Sequence, residues 1–361
     1  MRVTLRYSLL IGIGLAIALV PLGCSNGGGS SGGKRIILLT NGNSPFWDAG
    51  RAGMQEAEKD LRLQESGLRA VFEVNDSTPQ GQIDKLRQYA TQTDVAGVCL
   101  SAVDAANQRV AELMRQLRKN GVHVLTFDSD VDREHMRDAR FAYLGTDNYT
   151  GGKELGRCAK GLRPDGGAYA TFVGRTGAQN AMERVNGFGN GVGDKFKKID
   201  NMEDGTDRTV ARENVRNAMI NHPEMNILVG IWSYNAPAIV HVVREKGNRK
   251  SYTVVVFDAE PLAVKEMAEG DIDAMVVQNP YLMGYDAVKL LKALINDDQT
   301  TIKEMLPHYG QQDGDIYDTG LKVVVPDEGS PLKADMFDKK TQFLKLSDFR
   351  KWMDKYGLTG S

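Results

Sequence analysis

The stretch Arg35-Ile-Ile-Leu-Leu-Thr-Asn-Gly-Asn-Ser-Pro-Phe-Trp-Asp-Ala-Gly50 decides the fold. Arg35–Thr40 is a short apolar run of the kind that forms a strand buried on both faces. Pro45 then opens a helical pattern that runs to about Leu61. Phe46 and Trp47 therefore stand where a strand hands over to a helix, at the lip of a sheet. Two uses fit such a pair: a wall for a ligand ring, or packing of one ring under the helix.

The same alternation continues outward. Strands are expected at 68–75, 95–101 and 122–128, with helices at 78–91 and 105–120 between them. In the second of these helices Val110, Leu113, Met114 and Leu117 fall at i, i+3, i+4 and i+7, the stripe of a helix laid on a sheet. The pattern then restarts. Strands are expected at 141–145, 168–174, 226–231, 252–258, 272–278 and 321–325, with helices at 150–162, 178–197, 208–221, 236–246, 261–269 and 281–296. Two sets of βα units predict an α/β protein of two doubly wound parallel-sheet lobes.

The N-terminal residues read differently. Arg2 and Arg6 precede an unbroken apolar run from Leu9 to Val20, ended by Pro21-Leu22-Gly23-Cys24. The run is short for a membrane span and suits a cleaved export signal over 1–24. Its end resembles a bacterial lipobox, with Cys24 as the lipidated residue and Pro21 as a departure. Residues 25–34 are a Gly/Ser-rich tether that cannot bury a core. The tether also spells fragments of a nucleophile elbow and a P-loop, without the strand or helix either motif needs. Loss of Arg2 and Arg6 takes the net charge to about −4, with no basic stripe for nucleic acid. Cys99 and Cys158 fall on apolar elements and read as buried free thiols.

In doubly wound sheets ligands lie beyond the carboxyl ends of the strands. The residues there are Asn41, Asn43, Phe46, Trp47, Asp128, Arg175, Asn180, Arg184, Trp232, Tyr234, Asn235, Asp258, Glu260, Gln278 and Asn279. The set combines aromatic rings with planar amides, carboxylates and guanidinium groups. It contains no His, no Cys and no evident nucleophile. Planar polar groups can pair two adjacent hydroxyls of a sugar, and rings cover its C–H faces.

The chain from Arg35 to about Val325 resembles the periplasmic sugar-binding proteins of the ribose and glucose/galactose type, the solute receptors of ABC importers. The likeness rests on an ordered set: Asn43-Ser-Pro-Phe-Trp47, Leu125-Thr-Phe-Asp128, Asp147-Asn-Tyr-Thr-Gly-Gly152, Arg184 with Gly187-Phe188, Val255-Val-Phe-Asp258 and Gln278-Asn-Pro280 with Gly284. It implies a periplasmic-binding-protein-like fold of type I, with a three-strand hinge near Gly145–Asp147, Gln278–Asn279 and Ile316–Gly320. The first lobe would hold 35–146 and 279–320, the second 147–278 and 321–330, and 331–361 would be a C-terminal extension carrying a helix over 347–358 that packs against a lobe or meets a partner.

The resemblance implies ligand-binding roles for Asn41, Ser44, Phe46, Trp47, Asp128, Asn180, Arg184, Trp232, Asn235, Asp258 and Gln278. Ser129 departs from the ribose type, which carries Arg there, and weighs against ribose. Asp147 reads as a helix cap, and Tyr281 and Tyr285 as packing. Asp128-Ser-Asp-Val-Asp132 lacks the glycine and final glutamate of a calcium loop, so no metal is expected. The implied protein is a monomeric lipoprotein of the cell envelope that needs no cofactor and performs no chemistry. It would pass a monosaccharide or polyol to ABC permease subunits. A sugar-sensing module for a membrane kinase or chemoreceptor is an alternative, and a sugar-acting enzyme using Asp128 and Asp258 is another.

Overall fold

The computed structural model describes residues Gly33–Ser361. The export signal, Cys24 and most of the tether lie outside the described residues. Lys34, expected to close the tether, is instead the first residue of a strand, where it pairs in register with Leu68.

The chain opens with β1 (Lys34–Leu39), α1 (Phe46–Asp60), β2 (Leu68–Glu73), α2 (Pro79–Ala90), β3 (Val95–Leu100), α3 (Gln108–Lys119), β4 (His123–Phe127) and β5 (Tyr143–Gly145). It continues through α4 (Asn148–Leu162), β6 (Gly167–Val173), α5 (Gln179–Val192), β7 (Phe196–Glu203), α6 (Arg208–Asn221), β8 (Met225–Gly230), α7 (Asn235–Lys246), β9 (Thr253–Phe257), α8 (Pro261–Ala268) and β10 (Ala274–Val277). It ends with α9 (Pro280–Ile295), α10 (Gln299–Met305), β11 (Ile316–Asp318), β12 (Lys322–Val325), β13 (Gln342–Lys345) and α11 (Leu346–Lys355).

Two sheets result, ordered β11-β5-β4-β3-β1-β2 and β13-β12-β10-β9-β8-β6-β7. Every pairing is parallel except that of β10 with β12. The order reverses between β1 and β3 in the first lobe and between β6 and β8 in the second. These are the switch points at which such sheets open a crevice. The chain passes between the sheets three times: from β5 to α4, from β10 to α9, and from β11 to β12. Asp147 caps α4 by accepting from the Thr150 backbone N–H at 2.9 Å. The thiols of Cys99 and Cys158 are buried and free.

Several elements differ from the expectation, among them α10, for which no helix was foreseen. The helix expected to Lys197 stops at Val192, and an unforeseen edge strand, β7, follows it. The C-terminal segment packs on the second lobe, as expected of its helix, and adds a strand that was not expected. β13 lies parallel to β12 and covers its open edge, and α11 buries Phe349 and Met353 in the lobe's core. The segment then returns to the end of β9, where Ser361 and Ala259 exchange backbone hydrogen bonds of 2.6 and 2.8 Å.

Candidate functional site

The two switch points face each other across a gap with about 90 Å³ of free volume. On the same measure one water needs roughly 10–15 Å³, so the gap suits one small ring rather than a chain of rings. Asn41, Ser44, Phe46 and Trp47, all between β1 and the first turn of α1, form one wall. Asp128 after β4, Asn180 and Arg184 on α5, Trp232 after β8 and Asp258 after β9 complete the set.

Phe46 and Trp47 are both buried and line the gap, and their rings meet edge to face at 5.0 Å. Trp47 also packs on Phe127, at 5.1 Å between ring centres. The two uses expected of this pair therefore coincide: each ring belongs to the first lobe's core and to the wall.

Asp128 and Asp258 each follow a strand-ending Phe and turn the chain with positive φ, 58° and 66°. Asp tolerates this left-handed region better than most side chains because its short polar group bonds locally. The turn lifts each carboxylate off the sheet end into the gap. Asp128 accepts from Ser101 Oγ at 2.9 Å and, at greater length, from Asn41 and Asn180. Asp258 accepts from Gln278 Nε2 at 2.9 Å.

Arg184 lies between them, with nitrogens 3.9 Å from Asp128 and 3.7 Å from Asp258. Its Nε donates to Asn148 Oδ1 at 2.9 Å and its Nη1 to the Ile231 carbonyl at 3.1 Å. The guanidinium is stacked 3.9 Å over the Phe257 ring. Two glycines allow this placement. A Cβ on Gly152 would lie 2.1 Å from the Arg184 carbonyl, and one on Gly187 would lie 2.1 Å from that of Tyr149. The missing side chains let α5 close onto α4 and set Arg184 against Asn148.

The electrostatics follow from burial. Desolvation pushes the Asp258 carboxyl up to about 7, against the opposing pull of Arg184 and Gln278. Desolvation also raises Asp128, opposed by Arg184, Ser101 and Asn180. Arg184 Nη2 is buried and has no hydrogen-bond partner among the described residues. A buried donor left unpaired costs free energy that a ligand acceptor restores.

Asn235 and Gln278, also expected to bind ligand, are not among the residues that line the gap. Asn235 opens α7 and turns inward. Its Oδ1 accepts from the Trp232 backbone N–H at 3.0 Å and its Nδ2 donates to Asp204 at 2.8 Å. Gln278 Nε2 donates to Asp258, and its buried Oε1 has no hydrogen-bond partner among the described residues. Both hold a lining residue in place.

The structure adds lining residues to which no ligand-binding role was given, among them Ser77, Arg175, Thr206, Arg208 and Tyr234. Arg175 and Tyr234 stand at strand ends in the sequence, which was their visible signal. Arg208 pairs with the buried Glu260 at 2.9 Å and lies 5.3 Å over the Tyr234 ring. Among the described residues no group of three or more His, Cys, Asp or Glu side chains is placed to hold a metal ion.

Residues 35–299 match the periplasmic binding protein domain. The chain belongs to the periplasmic binding protein family. It is 23% identical to the D-allose-binding periplasmic protein of Escherichia coli over 71% of this chain and 82% of that protein. It is 24% identical to the ribose import binding protein of Salmonella typhimurium over 74% and 86% of the two chains. Among solved structures it is similar to a solute-binding protein of an ABC transporter from Burkholderia graminis, in complex with D-arabinose, with a TM-score of 0.71, 23% identity and coverage of 82% and 97%. It is also similar to a glucose-galactose binding protein from Geobacillus stearothermophilus, with a TM-score of 0.69, 23% identity and coverage of 81% and 97%. These likenesses carry the two-lobe type I fold.

Proposed function

We propose that the protein captures a monosaccharide or related polyol between its lobes and delivers it to an ABC importer. The observation that carries this reading is Arg184, a buried guanidinium with an unpaired Nη2, set between two strand-end carboxylates in a gap walled by Phe46, Trp47 and Trp232. Sugar hydroxyls both donate and accept, so they serve Arg184 and the carboxylates together. The aromatic walls suit the ring faces. Sugars named for several relatives support the same class.

The three passages between the sheets act as the hinge, and a ligand touching both lobes favours their closure. The reading assigns Asp128 and Asp258 to binding without chemistry. Lipidation of Cys24 would hold the protein to the membrane on the periplasmic or outer face.

Calorimetry and thermal melting over pentoses, hexoses, deoxysugars and polyols test the proposal. A ligand at one hundred times its Kd adds about 2.7 kcal/mol of stability. At least one sugar should raise the midpoint and return chemically unchanged by mass spectrometry. No response across the panel refutes the sugar reading, and a converted product refutes pure binding.

A further inference from the structure

The cleft is bridged a second time, outside the gap. Arg133, between β4 and β5 of the first lobe, donates from Nη1 to Glu183 Oε1 on α5 of the second lobe at 3.1 Å. Neither residue lines the gap. Each is anchored on its own side. Arg133 Nε donates to Asp130 Oδ2 at 2.8 Å, and its guanidinium lies 4.6 Å over the Tyr143 ring. Asp130 is fully buried and also paired with Arg140 at 2.7 Å, so it stays with the first lobe. Glu183 Oε1 also accepts from Gln179 Nε2 at 2.8 Å, one turn back along α5.

The pair is placed to act on the site without reaching into it. Asn180 and Arg184 turn one face of α5 to the gap, and Glu183 turns another face to Arg133. Tyr143, beneath Arg133, donates its hydroxyl to the Asp128 carbonyl at 3.0 Å and accepts from Asn148 Nδ2 at 3.1 Å. Asn148 in turn holds Arg184. Other contacts between the lobes are poorer reporters. Arg175, which donates to the Ser77 carbonyl at 3.1 Å, lines the gap itself, and the Ala105 to Gly177 contact is backbone only.

We propose that Arg133 and Glu183 form a latch that sets the affinity for every ligand by the same factor. The proposal rests on the capture of a ligand by lobe closure. A contact made only when the lobes meet raises the population of the closed arrangement. Apparent affinity scales with that population whatever sugar lies inside. Arg133 and Glu183 are thus positioning residues.

The test uses Glu183→Gln, Arg133→Met and the double variant, calorimetry with three or more sugars that the wild type binds, and a spin-label distance between the lobes. Each single variant should weaken all sugars equally, by about 3- to 10-fold, as expected for a half-buried charged hydrogen bond. The double variant should lose no more than the worse single one, because the two residues share one interaction. Without sugar the lobes of the variants should stand further apart, and with sugar the distance should match the wild type. Losses that differ between sugars, losses that add, or an unchanged lobe distance overturn the latch. A wild type that binds none of the sugars refutes the sugar reading. The unliganded distance then decides the latch alone: lengthening supports it and no change overturns it.

Discussion

Asp128 and Asp258 are the same device built twice and surrounded differently. Each follows a strand-ending Phe, turns with positive φ, is almost fully buried and faces Arg184. Asp128 shares its oxygens among Ser101, Asn41 and Asn180, the last of which comes from the opposite lobe. Asp258 has one side-chain donor, Gln278, from its own lobe. The first carboxylate is tied into the joining of the lobes. The second is a poorly solvated acceptor held ready within one lobe, which is why its carboxyl is pushed up to about 7.

Removing what the two share should have the largest effect. Arg184→Met leaves both carboxylates buried without their cation, and loss of one partner from a buried charged set costs about 3–5 kcal/mol. The midpoint in thermal or urea unfolding should fall accordingly, and sugar binding should vanish. A variant as stable as wild type would show that Arg184 does not compensate the two carboxylates.

The isosteres come next and should separate the pair. Asn is the right replacement because it tolerates the left-handed backbone, whereas Ala would add strain. Either Asp→Asn change should cost about 30- to 1000-fold in affinity, as expected when one partner of a buried charged contact is lost. Stability should diverge. Between roughly pH 4, where an unfolded Asp has released its proton, and about 7, where the folded Asp258 releases it, the folded state holds the extra proton. Stability contributed by this group therefore falls as pH rises through that window. Asp258→Asn should raise the unliganded midpoint at pH 8 and leave it unchanged at pH 4. Asp128→Asn should gain less, since Ser101 and Asn180 already compensate that charge. Identical behaviour of the two variants would erase the distinction.

A smaller effect follows from the same carboxyl. Ionised Asp258 accepts hydroxyl hydrogen bonds better than its protonated form, and its ionised fraction falls as pH drops through about 7. Affinity measured by calorimetry should therefore decline from pH 8 toward pH 6, and Asp258→Asn should flatten that part of the curve. Asp204, raised to about 6 by burial against its bonds to Tyr234 and Asn235, titrates lower and should leave any slope below pH 6 in place. A decline between pH 8 and 6 that survives in Asp258→Asn would assign it to another group.

How much of this was legible in the sequence depends on how each residue announces itself. The Phe-Asp strand ends could be read because an apolar run closed by one carboxylate has few meanings in a doubly wound sheet. β7 could not. Its partly buried apolar residues Phe196, Ile199 and Met202 are three apart, and the register with β6 shifts between Tyr169 and Ala170. That spacing imitates a helix: the helix expected to Lys197 overran the first two residues of β7, and no strand was expected over 198–203. The loop after β7, which brings Thr206 and Arg208 to the gap, was lost with it. Asn235 and Gln278 stand after strands but do not line the gap. Position after a strand places a residue near the cleft, but hydrogen bonding decides which way an amide turns, and both amides turn toward groups that already needed them.

The finest probe of the contrast is Trp232. Its indole Nε1–H donates to Asn180 Oδ1 at 3.1 Å, and Asn180 Nδ2 leans on Asp128 at 3.4 Å. A polar line thus runs from the wall of the second lobe to the carboxylate of the first, and none of it reaches Asp258. Trp232→Phe keeps a flat apolar wall and deletes the N–H at the start of the line. Asn180 then loses an orienting partner, and affinity should fall by about 2- to 10-fold, the worth of one neutral hydrogen bond. In an Asp258→Asn background the same penalty should persist, since that carboxylate is off the line. In an Asp128→Asn background it should shrink toward nothing, because the amide at the far end can turn to suit Asn180 unaided. Equal penalties in both backgrounds, read by calorimetry with one sugar, would mean that Trp232 acts only as a wall and that the lobes are not joined through this line.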